Sequence, residues 1–351
     1  MAERLYLDHA ATTPMRPEAI AAVADGMARW ANPSSPHAEG RAARRALEDA
    51  RARIAAALGW KHEVILTSGA SEAIALALGR AKGVRIAVSP TEHDAVLRAA
   101  GDAERLPVDA SGRVTLPEPS GERRLFAIQA ANSETGVLQP LDRIGDAIRA
   151  AGDLLFADCA QSAGKLPLPD ADLIAVSAHK LGGPPGIGAL LVRDFATLEP
   201  SGGQEQGYRG GTENLPGVLG FAAALEAPRD WIEDAAEWRA MLDAAILAEG
   251  GEVVAAAAPR IPTIAAYRMP GVASAAQLIR FDGGGIGVSA GSACSSGSLK
   301  PSHVLEAMGW YARAAREVVR VSFGWNTRGE DVRRFAEAWT AIAREARSRA
   351  A

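Results

Sequence analysis

Short apolar runs alternate with longer amphipathic segments through the first two thirds of the 351-residue chain. Apolar runs rich in β-branched residues are typical of strands that are buried on both faces of a parallel sheet. The amphipathic segments repeat apolar residues at helical spacing, and one of them places Ala43, Leu47, Ile54 and Leu58 on one face before Gly59. The pattern predicts successive strand–helix units, and therefore an α/β fold with a mostly parallel sheet.

The predicted strands of this part of the chain are residues 5–8, 64–66, 86–88, 125–128, 154–157, 173–176 and 190–192. After about Pro228 the composition changes, and the pattern predicts a helix with Trp231 and Trp238, then strands at 261–268 and 318–323. A last helix carries Val332, Phe335, Trp339 and Ile342, with a capping box from Thr327 to Glu330 at its start. We expect a large domain of residues 14–230 and a small domain of residues 1–13 and 231–351.

Composition and charge are those of an ordinary globular protein, with 48% hydrophobic and 23% charged residues. The net charge of −4 does not favour nucleic acid or an anionic membrane as a partner. No signal peptide and no apolar run of about 20 residues is present, so no membrane span is predicted. Two cysteines are too few for a disulfide framework, which favours a cytoplasmic location, and no metal site is predicted.

Polar residues follow six of the predicted strands, and we expect these six strand ends in one sheet. They comprise a turn of small residues at 67–72, then His93, the pair Asn132 and Ser133, Asp158, Lys180 and Arg320. Each has a structural alternative. The turn and Asp158 could be helix N-caps, His93 a structural or surface histidine, and Lys180 an ordinary loop lysine.

The order of these residues favours a common ligand site, because open α/β sheets bind ligands at the carboxyl ends of their strands. A desolvated lysine there forms Schiff bases, and a turn of small residues binds anions at a helix N-terminus. An aspartate holds a cationic ligand atom, and an arginine binds a carboxylate bidentately. Together these are the groups that a pyridoxal 5'-phosphate (PLP) site requires.

The two cysteines lie in different surroundings. Cys294 is in the middle of a serine- and glycine-rich stretch, residues 289–298, which favours a reactive thiol over a structural one. Cys159 follows Asp158 at a strand end, where we expect a buried thiol without a catalytic role. A glycine-rich loop at 201–214 contains Thr212 and is expected either to reach a partner subunit or to be disordered.

Over nearly its whole length the chain resembles the cysteine desulfurases of the nitrogen-fixation and iron–sulfur assembly type, in the class V aminotransferase superfamily. The motif Ser177-Ala178-His179-Lys180 and the motif Gly291-Ser292-Ala293-Cys294 both belong to this resemblance. Further matching stretches are residues 6–14, 32–37, 40–41, 67–72, 91–93, 134–137, 158–161, 298–302 and 320–324. The resemblance implies a PLP-dependent fold of type I, with a mostly parallel seven-stranded sheet covered by helices in the large domain and a smaller α+β domain.

The resemblance also implies a role for each matching residue. Lys180 would carry PLP, Asp158 would pair with the pyridine nitrogen, Gln161 would bond the phenolic oxygen, and His93 would stack on the ring and transfer protons. The phosphate would be held by Ala70, Ser71, Ser177 and His179, and by Thr212 from the second subunit of a homodimer. Arg320 would bind the carboxylate of L-cysteine, and Cys294 would be the nucleophile that receives sulfur as a persulfide.

The chain departs from the family pattern in three places. Ser133 stands where the family has an asparagine that touches the phenolic oxygen, so that bond is lost, passes through water or is replaced by one from Asn132. Asn132 is therefore included among the predicted cofactor and substrate contacts. Residues 73–75 are apolar where polar residues are common, and Cys159 replaces a common alanine.

The implied activity is conversion of L-cysteine to L-alanine, with the sulfur passed to a protein acceptor such as an iron–sulfur scaffold, or used for tRNA or cofactor thiolation. The alternatives are a selenocysteine lyase or another class V enzyme, and a sulfur-relay scaffold without catalysis. An aminotransferase has no use for Cys294, and a scaffold would not need Lys180.

Overall fold

A seven-stranded sheet forms the centre of the computed structural model, which describes residues 4–119, 121–291 and 301–350. In sheet order its strands are β2 (Glu63–Thr67), β8 (Gly188–Val192), β7 (Leu173–Ser177), β6 (Leu154–Asp158), β5 (Arg124–Ala127), β3 (Arg85–Val88) and β4 (Glu104–Arg105). β8 is antiparallel to both neighbours, and the pairings from β7 to β4 are parallel. The predicted α/β class with a mostly parallel sheet is confirmed. The reversed direction of β8 was not predicted, because an apolar run does not reveal strand polarity.

Alternate residues of these strands pack against helices on opposite faces of the sheet, as the period of two in a strand requires. Leu66, Phe126 and Ile174 face the helices α1 (Pro17–Ala28), α2 (Ala38–Leu58), α5 (Leu141–Ala150) and α6 (Leu215–Glu226). Ile65, Leu125 and Leu173 face α3 (Ala70–Arg80) and α4 (Asp94–Ala100). The predicted apolar face of α2 is buried, and the helix ends at Gly59 in the left-handed conformation.

A second hydrophobic core lies around a three-stranded antiparallel sheet of β9 (Glu252–Val253), β10 (Ile264–Arg268) and β12 (Val318–Ser322). A short parallel pair, β1 (Leu5–Tyr6) and β11 (Ile286–Gly287), adds Leu5 and Leu7 to it. The helices of this part of the chain are α7 (Trp231–Ala248), α8 (Ser274–Gly283), α9 (His303–Ala307), α10 (Ala312–Ala315) and α11 (Gly329–Ala350). The domain division at residues 14 and 230 stays a prediction. This second core supports it, because its buried residues come from positions 5–7 and from positions after 230.

Two expectations about the later part of the chain are wrong. Arg320 lies within β12 of the three-stranded sheet, so the six polar positions do not belong to one sheet. Thr327 does not form a capping box with Glu330, because α11 begins only at Gly329. The Thr327 hydroxyl instead accepts the Gly324 N–H, and the Arg328 N–H donates to Asp331. Within the described ranges, none of the helices is both long enough and apolar enough to cross a membrane.

Candidate active site

A cavity of about 490 Å³ opens where the chain leaves the carboxyl ends of β3, β5, β6 and β7. Polar loops at these ends converge because parallel strands end at the same edge of a sheet. The predicted site residues that line the cavity are Ala70, Ser71, His93, Ser133, Asp158, Gln161, Ser177, His179, Lys180 and Arg320. Asn132 and Thr212 do not line it, and Cys294 lies outside the described residues.

Lys180 enters the cavity from a single 3₁₀ turn, Ala178–Lys180, that follows β7. Its Nζ donates to the carbonyl oxygens of Ala10 at 2.6 Å and Ala11 at 2.8 Å. The turn itself is fastened to the N-terminal segment, because the Thr13 N–H donates to the His179 carbonyl. Sequence reasoning missed these acceptors, since backbone carbonyls leave no side-chain signal.

The small-residue turn between β2 and α3 lines the cavity. The Ser68 N–H donates to the Glu72 carboxylate at 2.5 Å, and the Arg209 Nε donates to its other oxygen at 3.0 Å. Burial opposes ionisation of Glu72, but these hydrogen bonds and the Arg209 charge outweigh it and lower its pKa. Glu72 thus accepts hydrogen bonds at the start of the turn, while Ala70 and Ser71 at the start of α3 line the cavity.

His179 also lines the cavity. Burial, followed by the positive charge of Lys180, lowers the pKa of His179 to about 4. One ring nitrogen, Nδ1, lies 3.1 Å from the Thr12 hydroxyl. At neutral pH the imidazole is therefore uncharged, and it offers an anion a hydrogen bond without a full positive charge.

His93 and Asp158 both line the cavity. The Ala95 N–H donates to Nδ1 of His93 at 3.1 Å, so the neutral ring carries its proton on Nε2. Burial lowers the pKa of His93 against the opposing effect of Asp158. Burial raises the pKa of Asp158, although the Ala160 N–H donates to its carboxylate at 2.9 Å. A buried carboxyl of this kind gains most from a cationic partner atom in a ligand.

Gln161 has an unsatisfied polar atom at the cavity wall. Its Nε2 donates to the Ala10 carbonyl at 2.9 Å, whereas its buried Oε1 has no hydrogen-bond partner among the described residues. Buried polar atoms normally have partners, so this atom is consistent with a polar ligand.

Asn132 makes its side-chain hydrogen bonds within the protein. Its Nδ2 donates to the Thr91 carbonyl at 3.0 Å, and its Oδ1 accepts from the N–H groups of Glu134 and Thr135 and from the Thr135 hydroxyl. The side chain is 3% exposed and stabilises the turn that carries Ser133. The sequence alone does not distinguish this contact from one to a ligand.

Arg320 reaches the cavity from β12 and is held on two sides. Its guanidinium donates to the Asp8 carboxylate at 2.7 Å and to the Ser133 carbonyl at 2.9 Å. Its Nε is buried with no hydrogen-bond partner in the described part of the chain. Asp8 was not predicted as a site residue, although it lies in the matching stretch 6–14. The arrangement places a cation suited to a ligand carboxylate in the same cavity as the Lys180 amine.

The chain is similar to known proteins over most of its length. Residues 5–335 match the model of the aminotransferase class-V family. A cysteine desulfurase of a Frankia species is 37% identical, and the match covers 95% of this chain and 90% of that protein.

Among solved structures, a NifS-like protein of Rickettsia africae superposes with a TM-score of 0.89 at 29% identity, covering 97% of this chain and 99% of that one. A structure of SspA in complex with cysteine superposes with a TM-score of 0.77 at 29% identity, covering 91% and 98%. The chain belongs to the class-V aminotransferase family and, within it, to the cysteine desulfurases.

Proposed function

We propose that this cavity binds PLP and that the protein is a cysteine desulfurase acting on L-cysteine. The observation that carries the proposal is that Lys180, Asp158 and Arg320 line one cavity, as a PLP enzyme with an amino-acid substrate requires. The comparisons support the substrate, because the relatives include a named cysteine desulfurase and a structure solved with cysteine.

The residues present fit the cofactor. Lys180 would bind its aldehyde, Asp158 its pyridine nitrogen, and the turn 68–71 with Ser177 and His179 its phosphate. His93 would lie against the ring, and Gln161, whose buried Oε1 lacks a partner among the described residues, would contact its polar substituents. When bound, PLP supplies an electron sink that stabilises negative charge at the substrate α-carbon.

This chain's own residues would orient the substrate and move its protons. Arg320 would bind the α-carboxylate through its guanidinium, while Asp8 and the Ser133 carbonyl keep that group in place. Lys180 would take up the α-proton and return it. His93, with its proton on Nε2, is a second group for proton transfer at the cavity wall.

The sulfur step would use the Cys294 thiolate, which attacks the sulfur of L-cysteine. An S–S bond forms and the Cβ–S bond breaks, with its electron pair going to the carbon chain, which takes up a proton. L-cysteine and the Cys294 thiol thus give L-alanine and a Cys294 persulfide, and no external oxidant or reductant is needed. The thiolate is the reactive form, so the usual thiol pKa of about 8.5 must be lowered or the proton removed.

The surroundings of Cys294 support this role, although Cys294 itself lies outside the described residues. On its N-terminal side the backbone of Ser289 exchanges hydrogen bonds with that of Arg320, at 2.7 and 3.2 Å. On its C-terminal side Ser302 donates to Glu134, in the turn that also holds Arg320. Both contacts involve elements that border the cavity.

We further propose a homodimer in which Thr212 reaches the partner's phosphate site, and a protein acceptor for the persulfide, such as an iron–sulfur scaffold. Thr212 is exposed and away from its own chain's cavity, which supports the first proposal. Exposed apolar side chains at Met27 and Trp30 also support an interaction surface.

The experiment that tests the function is incubation of the PLP-loaded protein with L-cysteine and reductant while alanine and sulfide are both measured. We expect equal yields from the parent, and no alanine or sulfide from Cys294→Ala, which should still show the PLP absorbance near 420 nm. Lys180→Ala should give no borohydride-stable label, whereas Lys165→Ala, a nearby lysine control, should be labelled like the parent. Sulfide release at the parental rate from Cys294→Ala would contradict the proposal.

A further inference from the structure

Four residues at the end of β5 form a turn, 132–135, whose contacts extend in three directions. The Asn132 amide donates to the Thr91 carbonyl, next to the segment that carries His93. The Ser133 carbonyl accepts from Arg320, and the Glu134 carboxylate accepts from the Ser302 hydroxyl at 2.5 Å. One turn therefore contacts the segment before His93, the Arg320 guanidinium and Ser302, which lies eight residues after Cys294 in the chain.

Glu134 is buried, with 8% exposure, but it does not line the cavity. Its N–H is held by the Asn132 Oδ1 at 2.9 Å, so the position of its backbone is set by the turn itself. Glu134 therefore has no direct contact with a ligand in the cavity, and its described side-chain hydrogen bond is to Ser302.

Ser302 is the N-cap of α9, because its hydroxyl oxygen accepts the Leu305 N–H at 3.0 Å while its proton goes to Glu134. The next residue, His303, donates from Nε2 to the Glu92 carbonyl at 2.8 Å. The start of α9 is thus hydrogen-bonded to two of the loops that follow the strands of the large sheet, those after β3 and β5. Of these two contacts, the one from Ser302 to Glu134 is the shorter, at 2.5 Å.

We propose that Glu134 is a positioning residue for sulfur transfer: it fixes Ser302 and the start of α9 to the turn that holds Arg320. This inference rests on the proposed role of Cys294. One turn thus holds both Arg320, which would bind the substrate carboxylate, and the start of α9, which follows Cys294 in the chain. Glu134 acts through Ser302 and does not line the cavity itself. Small displacements of a reacting group lower rates strongly.

The test compares Glu134→Ala and Glu134→Gln in the PLP-loaded protein, with Glu306→Ala as a matched control. Glu306 is an exposed glutamate on α9, so its substitution has the same chemistry away from the turn. We expect Glu134→Ala to keep the parental PLP absorbance and the parental cysteine concentration for half-maximal spectral change, while alanine formation at saturating cysteine falls about tenfold or more. Glu134→Gln keeps an oxygen acceptor for Ser302 and should recover most of the rate.

A second readout does not depend on turnover. Hydrogen exchange of the backbone at 301–308 should be faster in Glu134→Ala than in the parent, and unchanged in Glu306→Ala. If Glu134→Ala is too unstable to purify, Ser302→Ala removes the donor of the same hydrogen bond. It should likewise leave cysteine binding unchanged and slow the formation of alanine.

Alanine formation at the parental rate in Glu134→Ala would overturn the inference. A parallel loss of PLP and of cysteine affinity would also overturn it, because the residue would then only stabilise the turn. Failure of the proposed function itself is distinguishable, since the parent protein would then form no alanine, or Cys294→Ala would form it at the parental rate.

Discussion

His9 is a buried imidazole beside the residues whose carbonyls hold Lys180. It is 1% exposed, packs edge-on against Tyr6 with ring centres 5.0 Å apart, and has a buried Nδ1 without a partner among the described residues. Burial, and then the positive charge of Lys165, lowers the pKa of His9 to about 3. The ring is therefore neutral in the folded protein throughout the physiological range.

This residue predicts a pH dependence of stability. The unfolded chain binds a proton at His9 below pH 6.5, whereas the folded protein does so only near pH 3. The contribution of neutral His9 to the free energy of unfolding is therefore complete above pH 6.5. It is lost as the pH falls from 6.5 towards 3, by about 1.4 kcal/mol per pH unit.

Urea unfolding of the parent and of His9→Asn between pH 7.5 and 5 measures this effect. The parent's free energy of unfolding should fall more steeply on acidification than that of the variant. Parallel curves would show that His9 is not the group responsible.

At the scale of elements, α2 carries two arginines that pair with glutamates in different surroundings. Arg51 makes two hydrogen bonds to Glu205, at 2.5 and 2.9 Å, and the Glu205 side chain is 1% exposed. The same carboxylate accepts the Leu66 N–H of β2 at 2.7 Å. Arg53 pairs in a similar way with Glu226, but both side chains are 43% exposed. The first pair attaches the loop before Thr212 to α2 and β2.

Removal of the two arginines should therefore have unequal effects. Arg51→Ala leaves a buried carboxylate without its cation and should lower the free energy of unfolding by about 3 to 5 kcal/mol. Arg53→Ala removes an exposed pair and should lower it by less than about 1 kcal/mol. Denaturant unfolding of both variants checks this, and equal losses would be inconsistent with the burial difference.

At the scale of the whole molecule, Gly136 connects the turn after β5 to the small sheet. Its φ is +77°, and a Cβ there would lie 2.4 Å from the Ile264 carbonyl oxygen on β10. Its own carbonyl accepts the Ile261 N–H at 2.7 Å. Gly152 has nearly the same φ, +78°, but no atom lies within 4 Å of its Cβ position.

Comparing alanine variants of Gly136 and Gly152 separates two costs: that of a left-handed backbone conformation, which both share, and that of the close contact with β10, which only Gly136 makes. Gly152→Ala should lower the free energy of unfolding by about 1 kcal/mol, from the left-handed backbone alone. Gly136→Ala should lower it by about 1 to 3 kcal/mol more, because β10 must move away. Thermal or urea unfolding of the two variants gives the difference directly, and similar losses would mean that the contact with β10 yields easily.

The agreement between sequence and structure differs from residue to residue. The strand ends at His93, Asp158 and Lys180 were predicted because an apolar run followed by a polar residue is a local signal. Asp8 and the carbonyls of Ala10 and Ala11 were not predicted, since their contacts join distant parts of the chain. The predicted ligand contact of Asn132 stays a prediction, and the structure shows its Nδ2 bonded to the Thr91 carbonyl and its Oδ1 to the Glu134 N–H. The sequence could not predict these bonds, because an asparagine that binds a ligand and one that bonds to nearby backbone groups look the same in a sequence.

By itself the sequence determined the α/β class, the helical face of α2, the cavity-lining residue types and the family, because hydrophobic period and short motifs are local properties of the chain. Only the tertiary structure decided that β8 runs against its neighbours, that Arg320 comes from a different sheet, and that Glu134 meets Ser302. These depend on contacts between residues far apart in the chain, and the free energies that select such contacts come from packing and burial, which no short stretch of sequence contains.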